Sequence, residues 1–148
     1  MTEEVFARFI DKVLVGDGCW EWTGAKTKQE GYGRMGTSSG GLSVAHRLSY
    51  EHFIGPISEG LTIDHLCRNR GCVNPRHLEP VTNRDNILRG YGPPGNNSRK
   101  THCPRGHALT GDNLRLHRRG DGVWRQCREC HRVASNKYSR RVRAGGAK

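Results

Sequence analysis

No stretch of this chain is apolar for long enough to cross a bilayer, and its first fifteen residues, MTEEVFARFIDKVLV, carry two early glutamates and no unbroken apolar run. A membrane span needs roughly 20 apolar residues and a secretory leader an apolar centre, so the sequence predicts neither. Apolar residues make up only 33% of the 148, and aromatic ones 7%. So little apolar material makes a weak core, and folds supplied this way generally need cross-links. Six cysteines are present to supply them. In an unexported, cytoplasmic protein disulfides are disfavoured, and thiolates that hold a metal become the expectation.

Acidic residues are scarce in one part of the chain only. Residues 1–90 carry 11 Lys and Arg against 11 Asp and Glu, whereas residues 91–148 carry 14 against 3, which is the entire net charge of +11. Such a surplus suits a polyanion, and a nucleic acid held by its phosphates is the leading reading. A solvated basic tail with no ligand is the plain alternative.

In chain order, Val5, Phe6, Phe9, Ile10, Val13 and Leu14 recur at helical spacing before Gly16, which predicts an amphipathic helix over 3–15. Cys19 to Thr23 alternates large apolar and polar residues as a half-buried strand does, and Gly31 to Met35 reads as its hairpin partner. Helix formers run from Val44 to Ile54 and stop at Gly55-Pro56. Residues 91–100, rich in Gly, Pro, Asn and Ser, read as a linker. The expected division is therefore a domain over 1–90, the linker, and a module over 101–148 that closes on a basic helix or tail from about His131 to Arg143.

Residues 61–89 are the densest in chemistry. A short apolar strand, Leu61 and Ile63, ends on Asp64-His65; Cys67 and Cys72 lie on a loop rich in Arg, Asn and Gly; Asn74-Pro75 turns the chain into a second extended piece, Leu78 to Val81. Thr82 with Asp85 three later predicts a capping box that opens a helix over 83–89, ended by Gly90. Neighbours on a regular strand face opposite ways, so the strand is expected to end or bulge at Asp64-His65 if both serve one site.

The order strand, loop, strand, helix, with Asp64, His65, Cys67, Cys72, Asn74, Pro75, His77, Leu78 and Asn86 in place, resembles the HNH or ββα-metal nucleases. Within that class it is similar to the His-Cys box homing endonucleases and the small phage HNH enzymes. The resemblance covers about residues 17–90, and Ala45-His46-Arg47 with Ser49-Tyr50-Glu51 looks like the segment preceding the active site in the phage enzymes. It implies an α+β fold and hydrolysis of DNA phosphodiesters. A hard cation, Mg²⁺ or Mn²⁺, keeps several waters and needs few protein oxygens, which Asp64 and Asn86 would supply. His65 would be the general base, because a neutral imidazole can take a proton from water without binding the cation. The resemblance gives Asn74 a structural task, tying its loop to the backbone. It also calls for an arginine on the scissile phosphate; Arg34 and Arg47 both answer the description, and the sequence does not choose between them.

Cys67 and Cys72 must be neighbours, and two soft ligands want two more to complete a tetrahedron. His77 follows five residues later, and Cys19 is the one cysteine left in the N-terminal part. In the His-Cys box enzymes a comparable site takes one upstream cysteine plus Cys, Cys and His; the competing view puts His77 on the catalytic cation. A second set is legible from spacing alone: Cys103 and His107, then Cys127 and Cys130, the pattern of a zinc ribbon. Two structural Zn²⁺ would thereby use all six cysteines.

Arg105, Arg115, Arg118, Arg119, Arg125, Arg128 and Arg132 surround the second set, and Lys137, Arg140, Arg141 and Arg143 follow on the tail; all are candidates for phosphate contact with double-stranded DNA. The expectation is thus a metal-dependent HNH endonuclease with a zinc-stapled core and a C-terminal zinc-ribbon module, phage-encoded and active in the host cytoplasm. It would nick or cut both strands, as a monomer or homodimer. The alternative, from another class, is a zinc-dependent nucleic-acid-binding protein whose nuclease centre is vestigial.

Overall fold

The computed structural model describes residues 1–37, 40–120 and 122–145, and of Arg119 the backbone only. The chain divides into two compact units, Met1–Asn86 and Ile87–Lys148.

In the first unit, helix α1 (Glu3–Ile10) starts at Thr2, whose hydroxyl accepts the Val5 N–H, and carries Glu3 and Glu4 in the turn where acidic groups favour the helix dipole. It stops at Asp11, short of the predicted end at 15. Val13–Leu14 instead forms strand β1, paired antiparallel with β2 (Glu21–Trp22), and the Lys12 carbonyl accepts the Thr23 N–H. Helical spacing of apolar residues could not reveal this, because a partner from nine residues on decides it.

The predicted hairpin of 19–23 with 31–35 is also replaced. β2 pairs with β1, while β3 (Arg34–Gly36) pairs with β4 (Leu42–Val44), and Gly33 of the second stretch bridges to Lys26, beyond the end of the first. Helix α2 (Ala45–Phe53) follows directly. Its inner face joins Val5, Phe9, Trp22, Met35 and Val73 in the core through Ala45 and Leu48. Trp22 is 1% exposed, and its indole N–H donates to the Ala25 carbonyl. Gly33 is required there: a Cβ on it would stand 2.6 Å from the indole ring.

Strand β5 (Leu61–His65) pairs antiparallel with β6 (Leu78–Thr82) from Leu61↔Thr82 to His65↔Leu78. The ladder carries no bulge and ends at His65. The loop between them returns through a 3-10 turn, Pro75–His77, and helix α3 (Asn83–Arg89) leaves β6 with the predicted cap: the Thr82 hydroxyl accepts the Asp85 N–H and donates to the Asp85 carboxylate. Residues 71–73 also hydrogen-bond to β2 and the residue before it. Trp22 N–H donates to Gly71 O, and Val73 N–H to Trp20 O. This pairing brings Cys19 up to the loop.

In the second unit, the stretch expected as a linker holds a helix, α4 (Pro93–Arg99). Two prolines at its start preset φ, and the Arg99 guanidinium caps the Leu88 and Gly90 carbonyls at 2.8 and 2.7 Å. Gly95 packs so closely on the Gly90 carbonyl that no side chain would fit. A tight turn over Cys103–His107 follows, then a hairpin, β7 (Leu114–Arg119) with β8 (Gly122–Cys127), and helix α5 (Arg128–Gly145). Helix α5 starts earlier and runs further than the sequence predicts, and none of its described residues is buried. No helix among the described residues is long and apolar enough to cross a membrane.

Candidate active site and two candidate metal centres

Asp64 and His65 end β5 inside the first unit, 3% and 5% exposed. His65 Nε2 lies 3.1 Å from the Cys72 carbonyl oxygen. A carbonyl only accepts, so Nε2 carries the hydrogen and Nδ1 keeps its lone pair. Burial holds His65 below the ordinary imidazole value, against the Cys72 carbonyl and Asp64, which raise it. The ring is therefore neutral and basic at Nδ1 at neutral pH.

Two residues the sequence did not mark as site residues wall this ring. His46 of α2 meets it edge-on with centroids 4.7 Å apart, and Tyr32 is 5.8 Å from His65 and 5.3 Å from His46. His46 is 7% exposed, and its Nδ1 has no hydrogen-bond partner among the described residues. Burial first, then the charges of His65 and Arg47, push it down to about 3. A histidine that neutral cannot donate a proton to a leaving group near pH 7, but it leaves His65 able to gain one.

Asp64 Oδ1 accepts from Arg68 Nη1 at 2.7 Å. Arg70, two residues on, lays its guanidinium 5.3 Å from the Tyr32 ring centre and donates to the Glu30 carbonyl. Asn86 stands half-buried one turn into α3, which leaves the hairpin opposite Leu61, three residues along β5 from Asp64. Of the arginines expected at the phosphate, Arg34 is exposed on β3, and Arg47 is half-buried on α2 with Nη2 3.9 Å from Glu51. Asn74 is buried and bonded on both sides, accepting the Arg76 N–H and donating to the Gly18 carbonyl at 2.7 Å.

Cys19, Cys67, Cys72 and His77 converge, with their ligand atoms all within 4.8 Å of one another. His77 Nδ1 is 3.7 Å from Cys19 Sγ and 3.6 Å from Cys72 Sγ. Around a tetrahedral Zn²⁺, with sulfur at about 2.3 Å and nitrogen at about 2.0 Å, such edges come to about 3.5–3.8 Å. The donor set fits zinc, and His77 belongs to it rather than to a cation at Asp64. Burial pushes the Cys72 thiol up to about 12 and raises Cys67, so a cation at the centre is what would keep these sulfurs as thiolates.

In the second unit Cys103, His107, Cys127 and Cys130 converge in the same way. His107 Nδ1 is 3.5, 3.6 and 3.3 Å from Cys103, Cys127 and Cys130 Sγ, and Cys103 Sγ is 3.6 Å from Cys130 Sγ. Here too the edges fit zinc. Cys127 Sγ accepts the Cys130 N–H, which with Asn113 and His107 pulls its thiol down to about 6. Asn113 binds the Ala108 carbonyl and, through Oδ1, the Glu129 N–H at the start of α5, so one amide braces turn, ligand and helix.

The basic side chains of this unit differ in what they touch. Arg125 Nη1 sits among the carbonyls of Asn97, Ser98 and Lys100 at 2.7–2.9 Å, which makes it a brace for the end of α4. Arg132 pairs with Glu129 at 2.7 Å. Arg115, Arg128 and Arg132 line a cleft of about 800 Å³ beside the start of α5. Arg105, Arg118, Lys137, Arg140, Arg141 and Arg143 are exposed, while the side chain of Arg119 lies outside the described residues.

A family model described as HNH endonuclease matches residues 43–88, the segment that holds α2, the β5–β6 hairpin and α3 up to Leu88. The chain belongs to the HNH endonuclease family. Three phage proteins are similar to this HNH chain. The "Uncharacterized gene 5.3 protein" of Enterobacteria phage T3 is 40% identical over 77 residues, 49% of this chain and 76% of that one. "Protein 7.7" of Escherichia phage T7 is 40% identical over 70 residues, 47% of this chain and 52% of that one. "Protein 2.8" of the same phage is 35% identical over 85 residues, 56% of this chain and 57% of that one. The chain thus spans three quarters of the T3 protein and little more than half of each T7 protein. No solved structure matches. HNH domains act on nucleic acid, and the matched segment includes Asp64, His65 and Asn86.

Nothing in the residue pattern marked Arg68 as turning back on Asp64 or His46 as meeting His65. The only available signal was position: His46 precedes Arg47, and Arg68 lies inside the Cys67–Cys72 loop.

Proposed function

We propose that this protein is a metal-dependent DNA endonuclease whose general base is His65. The observation that carries the reading is the hydrogen bond from His65 Nε2 to the Cys72 carbonyl, which leaves the Nδ1 lone pair on a buried, neutral ring beside Asp64. A divalent cation, Mg²⁺ or Mn²⁺, held by Asp64 and Asn86, would supply stabilisation of the charge that grows on the phosphoryl and departing 3′ oxygens. His65 Nδ1 takes the proton of the attacking water as its oxygen bonds to phosphorus and the bond to the 3′ oxygen breaks. The Cys72 carbonyl holds the ring in the tautomer this needs, and stabilises the imidazolium that results.

In this reading, Zn²⁺ at Cys19, Cys67, Cys72 and His77 fixes the loop that carries that carbonyl. The second unit is a zinc-ribbon module that holds double-stranded DNA by its phosphates through the exposed arginines and lysine of β7 and α5. The relatives fit a phage-encoded enzyme at work in an infected bacterium. His65→Ala should keep the fold and the DNA affinity while plasmid cleavage in Mg²⁺ slows by about 10²-fold or more. Asp64→Ala and Asn86→Ala should each shift activity to higher Mg²⁺ or Mn²⁺. If neither wild type nor variant cleaves at any Mg²⁺ or Mn²⁺ concentration, the protein is a binding module with a vestigial centre, and the reading is wrong.

A further inference from the structure

We infer that Arg68 is the arginine that grips the scissile phosphate, and that it is released to do so when a divalent cation takes Asp64. The inference rests on the nuclease reading above and adds a residue to it. Arg68 Nη1 donates to Asp64 Oδ1 at 2.7 Å, on a carboxylate only 4% exposed, whereas the arginine side chain is 36% exposed. One end of the pair is thus fixed in the protein and the other borders solvent, where a DNA backbone would arrive.

The backbone is arranged for this contact. Arg68 has φ of 60°, and it is the one non-glycine residue with positive φ among the described residues. An L-residue rarely takes that left-handed conformation, and such outliers gather where a side chain has to be aimed. The turn is held by the Arg68 N–H, which donates to the His65 carbonyl at 2.9 Å. Its root is therefore anchored on the general base and its tip on the acid.

A cation on Asp64 and a guanidinium on the same oxygen are like charges competing for one carboxylate. When the cation binds, Arg68 has to swing off, and its fixed root keeps it within reach of the space in front of Asp64 and His65. A phosphoryl group being attacked there offers two oxygens to a planar fork of donors. Arg47 has Glu51 as its nearer partner, and Arg34 stands exposed on β3.

The test uses the full chain with zinc loaded and two variants, Arg68→Asn, which accepts the left-handed backbone, and Arg68→Lys, which keeps the charge without the fork. Calorimetry measures Mn²⁺ binding without DNA, and single-turnover plasmid cleavage is measured at saturating Mn²⁺. Removing the competing charge should tighten Mn²⁺ binding to the Asn variant by about fivefold or more, while cleavage slows by about 10²-fold or more. The Lys variant should recover part of the rate, and both should remain folded at the assay temperature, the Asn variant melting somewhat lower because it leaves the Asp64 carboxylate without its partner. Cleavage by the Asn variant at the wild-type rate would overturn the phosphate role, and unchanged Mn²⁺ affinity would overturn the release. A wild-type chain that neither binds Mn²⁺ nor cleaves would instead take down the nuclease reading along with this one.

Discussion

Acid should unfold this protein in part through His46, a residue proposed neither as ligand nor as base. Its pKa falls from 6.5 to about 3 in the folded chain, chiefly by burial, with the charges of His65 and Arg47 adding to it. The folded state therefore refuses a proton that the unfolded state accepts, so this contribution is whole above pH 6.5 and is lost as the pH falls from there towards 3. At about 1.4 kcal/mol per unit the full loss is roughly 5 kcal/mol, of which about 2 kcal/mol is gone by pH 5. That is a large share of the stability of a small domain. His46→Phe keeps a ring in the same space but cannot take the proton. Urea unfolding of both proteins in excess zinc, at about pH 7.5, 6 and 5, isolates the effect, because zinc loss and His65 titration act on both. Between the highest and the lowest pH, wild type should lose about 2 kcal/mol of stability relative to the variant. Parallel curves would show that His46 is protonated in the folded state without penalty, and the argument from burial would fail.

Protein purified without chelator should contain close to two zinc ions per chain by elemental analysis, and Cys67→Ser should lose one of them together with most of the thermal stability of the first unit; a zinc-free protein of normal stability would refute both centres. Replacing Lys137, Arg140, Arg141 and Arg143 together by glutamine should flatten the plot of log affinity for duplex DNA against log salt by up to about 4 units of slope, near 0.9 for each phosphate contact removed. An unchanged slope would move the phosphate grip away from α5.

What the sequence by itself determined lies mostly within thirty residues. The strand that ends on Asp64-His65, the turn at Asn74-Pro75 and the Thr82–Asp85 cap rest on local rules, and all three stand in the structure. The set of Cys103, His107, Cys127 and Cys130 was legible from spacing, and the resemblance to the His-Cys box enzymes supplied that of Cys19, Cys67, Cys72 and His77, because a structural Zn²⁺ takes four ligands. What only the tertiary structure decided are the pairings between distant segments. Val13–Leu14 is a strand because β2 lies beside it, and the helix over 93–99 is held from outside, by Arg125 on the carbonyls at its C-terminal end and by Arg99 reaching back to those of Leu88 and Gly90. The same holds at the candidate site. Composition shows eleven Lys and Arg in residues 1–90 but not which of them meets Asp64, since that depends on one left-handed backbone angle at residue 68. Hydrophobic period and ligand spacing are properties of neighbours along the chain. The wall of His46 and Tyr32 around His65, and the carbonyl that fixes its tautomer, come from segments up to thirty-three residues away, and only packing brings them together.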